Sequence, residues 1–199
     1  MKVGLSGWGG FLATKLRERT EIEWVEDTEN IDCYLHLGSP TFTHPELSMH
    51  DAQVVHQYVK DSMRLINRLD VPVVFGSTTG VDDIQLDHKG STAYNLGKLF
   101  LENYIINNCQ QYMILRIGTV ISSNSTDISL MKPDRIQPRL GRGDVSNIEF
   151  EDYYLDIDVF VNTTIEKLLN FKTGIVTYNL TKLTLPKLMA LGKSNDFRQ

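Results

Sequence analysis

The sequence predicts an α/β protein built on a doubly wound parallel sheet, with a small, reduced C-terminal appendage. Three observations carry this expectation. Short apolar runs alternate with amphipathic helical patterns along most of the chain. No repeat, low-complexity segment or long Pro/Gly/Ser linker interrupts that alternation. The first apolar run also leads through a glycine-rich turn, GLSGWGGFLATKL at 4–16, straight into a helical pattern.

Taken in order, KVGLS (2–6) is a short buried strand, and FLATKLRER (11–19) sets Phe11, Leu12 and Leu16 along one helical stripe. IEWVED (22–27) and CYLHLG (33–38) are the next strands, separated by five residues. MHDAQVVHQYVKDSMRLINRL (49–69) is a long helix with Val55, Tyr58, Val59, Met63, Ile66 and Leu69 on one face. VPVVFGS (71–77) reads as a central buried strand, a helix runs from about Thr92 to Asn108, and YMILRIG (112–118) is a further strand. Periodicity fades from Ser122 to Asn147, where Pro133, Pro138, Gly141 and Gly143 mark loops. LDIDVFVNTTIEKLLNF (155–171) restores a helix, GIVTYNL (174–180) a strand, and LPKLMALG (185–192) a short final helix.

Composition narrows the function classes. With 199 residues and 41% hydrophobic content the chain can bury a sizeable core. A formal net charge of −5 without any Lys/Arg run argues against nucleic acid or an anionic membrane as partner. No apolar stretch approaches the ~20 residues of a membrane span, and MKVGLSGWGG lacks a secretory h-region, so a cytoplasmic protein is expected. Cys33 and Cys109 are too few for a disulfide framework and have no metal-ligand spacing with the five histidines; reduced thiols and no metal are expected.

Three constellations carry chemistry. In the opening turn Gly7, Gly10 and Ala13 are spaced at three, between a strand and a helix, as a dinucleotide fingerprint requires. Gly7, Trp8, Gly9, Gly10, Phe11 and Leu12 are then the expected cofactor contacts; the competing reading is an ordinary strand-to-helix loop. A Walker loop is excluded because no Gly-Lys-Ser/Thr follows. Glu26 and Asp27 stand about 20 residues beyond Gly7, where a carboxylate accepts bonds from ribose hydroxyls and repels a 2′-phosphate. This favours NAD over NADP, unless VEDTEN is simply a solvated acidic loop. Tyr94 and Lys98, four apart, share a helical face, and a neighbouring ammonium favours the phenolate. With eight tyrosines in the chain such a pair also arises by chance. FGSTTGV ends a buried strand in Ser77, Thr78 and Thr79, hydroxyls that can bond a substrate oxygen or merely shape a turn.

Together these segments resemble the extended short-chain dehydrogenase/reductases, in the NAD-dependent epimerase/dehydratase group. VGLSGWGGFLATKL is similar to the glycine motif, CYLHLGSPT to the strand ending in His-Leu-Ala-Ala, and FGSTTGV to the Ser/Thr strand. YNLGKLFLE is similar to Tyr-x-x-x-Lys-Leu-x-x-Glu, and ILRIGTVIS to the strand that usually reads Leu-Arg-x-x-Asn-Val-Tyr-Gly. YLDIDVFVNTTIEKLL and VTYNL look like the later aspartate-bearing helix and the closing strand. The resemblance implies a Rossmann-type core over 1–121 and a reduced substrate-binding region over 122–199, some of whose elements can return to the core. It implies Tyr94 as general acid/base, Thr78 as partner of the substrate oxygen, and Lys98 on the nicotinamide ribose. Leu37, Gly38 and Ser39 would lie along the adenine side, Ile117 near the carboxamide, and His36 would be structural. A homodimer through the two long helices is also implied.

Several departures from the family pattern stand out. Ala13 replaces the third glycine, Tyr58 stands where an Asn is usual, and Thr79-Gly80 replaces the Asp-Glu of the 4,6-dehydratases. Asp82-Asp83 replaces Tyr-Gly, and TENID replaces a whole strand with its helices. The expected function is an NAD-dependent oxidoreductase or epimerase acting on a sugar or nucleotide-sugar, with Arg135, Arg139 and Arg142 pairing a substrate phosphate or forming a solvated loop. The alternative is a non-catalytic dinucleotide-binding sensor or assembly protein.

Overall fold

A computed structural model describes residues 1–40, 52–81, 93–118, 120–121 and 151–184. In chain order its elements are β1 (Lys2–Ser6), α1 (Phe11–Arg17), β2 (Glu23–Val25), β3 (Cys33–His36), α2 (Ala52–Ile66), β4 (Val73–Thr78), α3 (Ala93–Asn108), β5 (Tyr112–Ile117), β6 (Val120–Ile121), β7 (Glu151–Asp156), α4 (Ile157–Leu169), β8 (Gly174–Thr177) and β9 (Thr181–Thr184). They fall into two compact units, Met1–Ile117 with Thr163–Thr177, and Gly118–Asn162 with Tyr178–Gln199.

The first unit is a six-stranded parallel sheet in the order β2-β1-β3-β4-β5-β8, with flanking helices. Strands covered on both faces need apolar residues at nearly every position, which is why the runs are continuous rather than alternating. Val3, Leu5, Cys33, Leu35, Val73, Val74, Phe75, Met113, Ile114 and Leu115 are all buried. Ile66, Val73, Phe75, Leu101, Ile105 and Ile114 pack α2 and α3 onto the sheet. The strand order reverses between β1 and β3, the kind of switch point at which open α/β sheets form a crevice beyond their carboxyl ends.

Between β2 and β3 the chain crosses β1 in residues 26–32 alone. It passes so close that a Cβ added to Gly4 would lie 2.5 Å from the Asp27 carbonyl oxygen, 2.6 Å from Tyr34 Cδ2 and 2.7 Å from Ile31 Cδ1. Gly4 thus serves this crossover, not the turn with which its sequence position groups it. The crossover is tied down by Asp32, whose backbone N–H donates to Lys2 O at 2.8 Å while its carboxylate accepts from Lys2 N at 2.7 Å.

Several expected boundaries shift. β2 stops at Val25 rather than residue 27, because the Asp27 carboxylate accepts the N–H groups of Thr28 (2.7 Å) and Glu29 (3.1 Å) and turns the chain. α2 stops at Ile66, where Arg68 N–H donates to Leu65 O and Leu69 N–H to Ile66 O in tighter turns. Leu155 and Asp156 belong to β7 and not to the following helix: Asp156 Oδ1 accepts the Asp158 N–H at 2.8 Å and so caps α4 at Ile157. β8 is four residues long and ends at Thr177. The loops expected at 122–147 and the helix at 185–192 lie outside the described residues.

The second unit contains a three-stranded sheet in the order β6-β7-β9, with β6 parallel and β9 antiparallel to β7. The Phe160 and Tyr178 rings pack at 5.6 Å. Among the described residues no helix is long and apolar enough to cross a membrane.

The crossover makes a testable demand. Gly4→Ala drives a methyl into backbone and costs about 2 kcal/mol or more in urea unfolding. Gly9→Ala, where an added Cβ meets nothing within 4 Å, stays within about 0.5 kcal/mol of the parent.

Candidate active site

The turn after β1 depends on one close approach. Gly7 has φ +74°, and a Cβ there would lie 2.9 Å from Gly38 N and 3.1 Å from Gly38 Cα. A side chain is therefore excluded both by backbone conformation and by the chain leaving β3. Gly10 N–H donates to Gly7 O at 2.7 Å, and Gly10 caps α1 with no side-chain hydrogen bond. The backbone donors of the first turn, which includes Phe11 and Leu12, receive no side-chain cap. Gly9 is exposed, Ala13 is buried, and the Arg17 guanidinium lies 4.1 Å over the Trp8 ring. Leu37, Gly38 and Ser39 are half-buried just beyond β3, while Ile117 is the buried last residue of β5. Glu26 and Asp27 are both exposed beyond β2, with the Asp27 carboxylate already engaged in its own turn.

The second cluster centres on Lys98. Its side chain is 1% exposed, and Nζ donates to Gly76 O at 2.6 Å and to Tyr58 Oη at 2.9 Å. Nζ also lies 4.6 Å from the Phe75 ring centroid and 5.5 Å from that of Tyr94, one turn back on α3. Burial pushes the ammonium down to about 7, opposed by the Glu102 carboxylate. Burial, with Tyr94 close by, holds the Tyr58 phenol well above its ordinary value, so Tyr58 is a neutral partner. Thr78 closes β4, and its Oγ1 accepts from Gly80 N at 3.2 Å. Of the hydroxyls at this strand end Ser77 is already committed: it donates to buried Glu102, which pairs with Arg116 through Nη2 at 2.7 Å and Nε at 3.2 Å.

His36 joins the two clusters. Nδ1 is bonded to Ser6 Oγ at 2.7 Å, Nε2 to Ser62 Oγ at 2.9 Å, and the ring stacks on Tyr58 at 6.0 Å and 11°. Ser6 Oγ also accepts the Gly38 N–H at 3.0 Å. Hydrogen bonds therefore run from Gly38 through Ser6 and His36 to Ser62, and the Tyr58 ring stacked on His36 carries the contact on to Lys98. Sequence reasoning missed Ser6 and Ser62, although Ser62 stands at i+4 from Tyr58, a spacing that places the two on one face. Arg135, Arg139 and Arg142 lie outside the described residues, as do Asp82 and Asp83.

Burial first, and the Lys98 charge second, lower the His36 pKa from 6.5 to about 3. The folded chain keeps this ring neutral while the unfolded chain protonates it near 6.5, so stability present above that pH is lost as pH falls toward 3. The wild type is expected to lose ~2 kcal/mol between pH 7.5 and 5 through this one group. His36→Gln flattens that limb, as urea unfolding at several pH values will show.

No protein-family model and no curated protein matches the sequence. Solved structures match the fold. UDP-N-acetylglucosamine 4-epimerase from Bacillus cereus aligns with a TM-score of 0.64 and 16% identity, over 98% of this chain and 86% of its own. UDP-glucuronic acid 4-epimerase from Bacillus cereus, in complex with NAD, aligns at 0.62 and 14% identity, over 100% of this chain and 85% of its own. RMD from Pseudomonas aeruginosa, complexed with NADPH, aligns at 0.62 and 12% identity, over 96% and 82%. The likeness is one of fold, and it agrees with the resemblance carried by the sequence motifs: this chain has a Rossmann-type α/β fold.

Proposed function

We propose that this chain binds a nicotinamide dinucleotide and acts as an epimerase or reductase on a sugar, in the form of a nucleotide-sugar. The observation that carries this reading is the buried Lys98, its Nζ 5.5 Å from the Tyr94 ring centroid and bonded to Tyr58, whose ring stacks on the His36 that Ser6 ties to the Gly7–Gly38 turn. The residues fit such a cofactor: the turn offers exposed glycine backbone, with open space at Gly9 and first-turn donors that no side chain caps. Trp8, Gly10, Phe11 and Leu12 would line the pyrophosphate, Leu37, Gly38 and Ser39 the adenine side, and Ile117 the carboxamide end. Glu26, with Asp27, supports NAD over NADP, since a carboxylate there meets a 2′-phosphate with repulsion.

When bound, the cofactor supplies hydride exchange with a substrate carbinol or ketone. The protein's share is proton handling and placement. The Tyr94 hydroxyl gives or takes the proton of the substrate oxygen, helped by the Lys98 ammonium, which favours its phenolate. Thr78 Oγ1 holds that same oxygen by a hydrogen bond. A dinucleotide-binding sensor uses the same turn but has no need of the Tyr94 proton, which is where the two functions part.

Fluorescence titration, with Trp8 in the turn as reporter, is expected to show NADH binding tighter than NADPH. Tyr94→Phe should retain NADH and lose turnover by about 10²-fold or more on the nucleotide-sugars that the wild type accepts. A wild type that binds NADH but exchanges hydride with none of a broad panel is instead a sensor. The homodimer fits the exposed Leu96 and Phe100, one turn apart on α3. Light scattering at micromolar concentration should give twice the chain mass, and Phe100→Glu should return the monomer.

A further inference from the structure

Lys98 needs acceptors, because an amine this deeply buried cannot borrow them from water. Among the described residues it has two, the fixed backbone oxygen of Gly76 and the movable side-chain oxygen of Tyr58. The Tyr58 ring that carries this second oxygen lies stacked on the His36 ring, whose Nε2 is hydrogen-bonded to Ser62 Oγ. The ring packing and the oxygen are thus separable: one fixes α2 on the sheet, and among the described residues the other hydrogen-bonds Lys98.

We propose that Tyr58 is a positioning residue, whose phenol oxygen, placed by the stacking of its ring on His36, fixes the Lys98 ammonium against Gly76 O and beside Tyr94. Its bearing on catalysis rests on the proposed roles of Tyr94 and Lys98; the anchoring itself does not. The groups facing Lys98 set the signs. From α3, Glu102 favours the ammonium, though Arg116 on β5 offsets part of its charge, and Tyr94 stands alongside. From β3, His36 is neutral, and from β4 come Gly76 O and the Phe75 ring. From α2, Tyr58 Oη is a neutral acceptor that favours the charged amine. Its removal should therefore lower the pH at which Lys98 titrates.

The test uses the full chain labelled with ¹³C-lysine, following the Lys98 Cε resonance, assigned by its loss in Lys98→Met, through a pH titration. The wild type should titrate near 7. Tyr58→Phe, which keeps the stacked ring, should titrate lower by about one pH unit or more. An unchanged or raised midpoint in a folded Tyr58→Phe overturns the proposal, since a purely packing role leaves Lys98 titration alone. If Tyr58→Phe does not fold, Tyr58→Met, which likewise lacks the phenol oxygen, decides by the same criterion. NADH titration of the same wild-type sample keeps the two ideas apart: failure to bind NADH removes the proposed function, while the Lys98 midpoints still judge the anchoring.

Discussion

Everything at the carboxyl edge of the sheet follows from keeping one lysine amine out of water. A buried donor without acceptors costs more than the hydrogen bond it forgoes, so Lys98 dictates the placement of its neighbours. Gly76 O comes with β4, but Tyr58 Oη must be brought by α2 and held there. The stacked His36 ring holds it, Ser62 and Ser6 engage the two ring nitrogens, and the Gly38 N–H completes Ser6. Five elements are thereby set against one another by one series of polar and stacking contacts, and buried polar contacts of this kind specify one arrangement where apolar packing alone allows several. Glu102 is the counterweight. Buried beside Lys98 and clamped by Ser77 and Arg116, it makes the ammonium tolerable without neutralising it by direct contact.

That network explains which parts of the molecule were legible in the sequence. β1, β4, β5 and α3 could be read to within two residues, because strands buried on both faces leave unbroken apolar runs. The Tyr94–Lys98 relation was legible too, since i, i+4 spacing is local geometry. β7 was not, because EDYYLD opens on residues that strands disfavour and then merges into the helical stripe of α4. The one signal for that boundary was Asp156, a capping residue standing where an uninterrupted helix was expected. The polar contacts were equally hidden: Ser6 and His36 are thirty residues apart, His36 and Ser62 twenty-six, and Tyr58 and Lys98 forty. Side-chain partners at such separations are set by topology, which composition and periodicity do not encode.

The short connection between β2 and β3 shows how little chain a parallel crossover over β1 can use. A parallel crossover ordinarily needs a dozen or more residues to return to the start of the sheet. Here the need is removed by register: β2 pairs with residues 2–4 of β1, and β3 with residues 3–6. The chain therefore leaves β2 almost level with the start of β3 and has only to pass over the face of β1. Gly4 makes that path possible by leaving room for the Asp27 carbonyl, and Asn30, at φ +52°, turns the chain back. The cost falls on the end of β2, whose Asp27 carboxylate is drawn into organising the turn. Of the acidic pair beyond β2, Glu26 is the member not drawn into that turn. The short crossover divides the pair: Asp27 serves the fold, and in the proposed function Glu26 is the carboxylate left for a ribose.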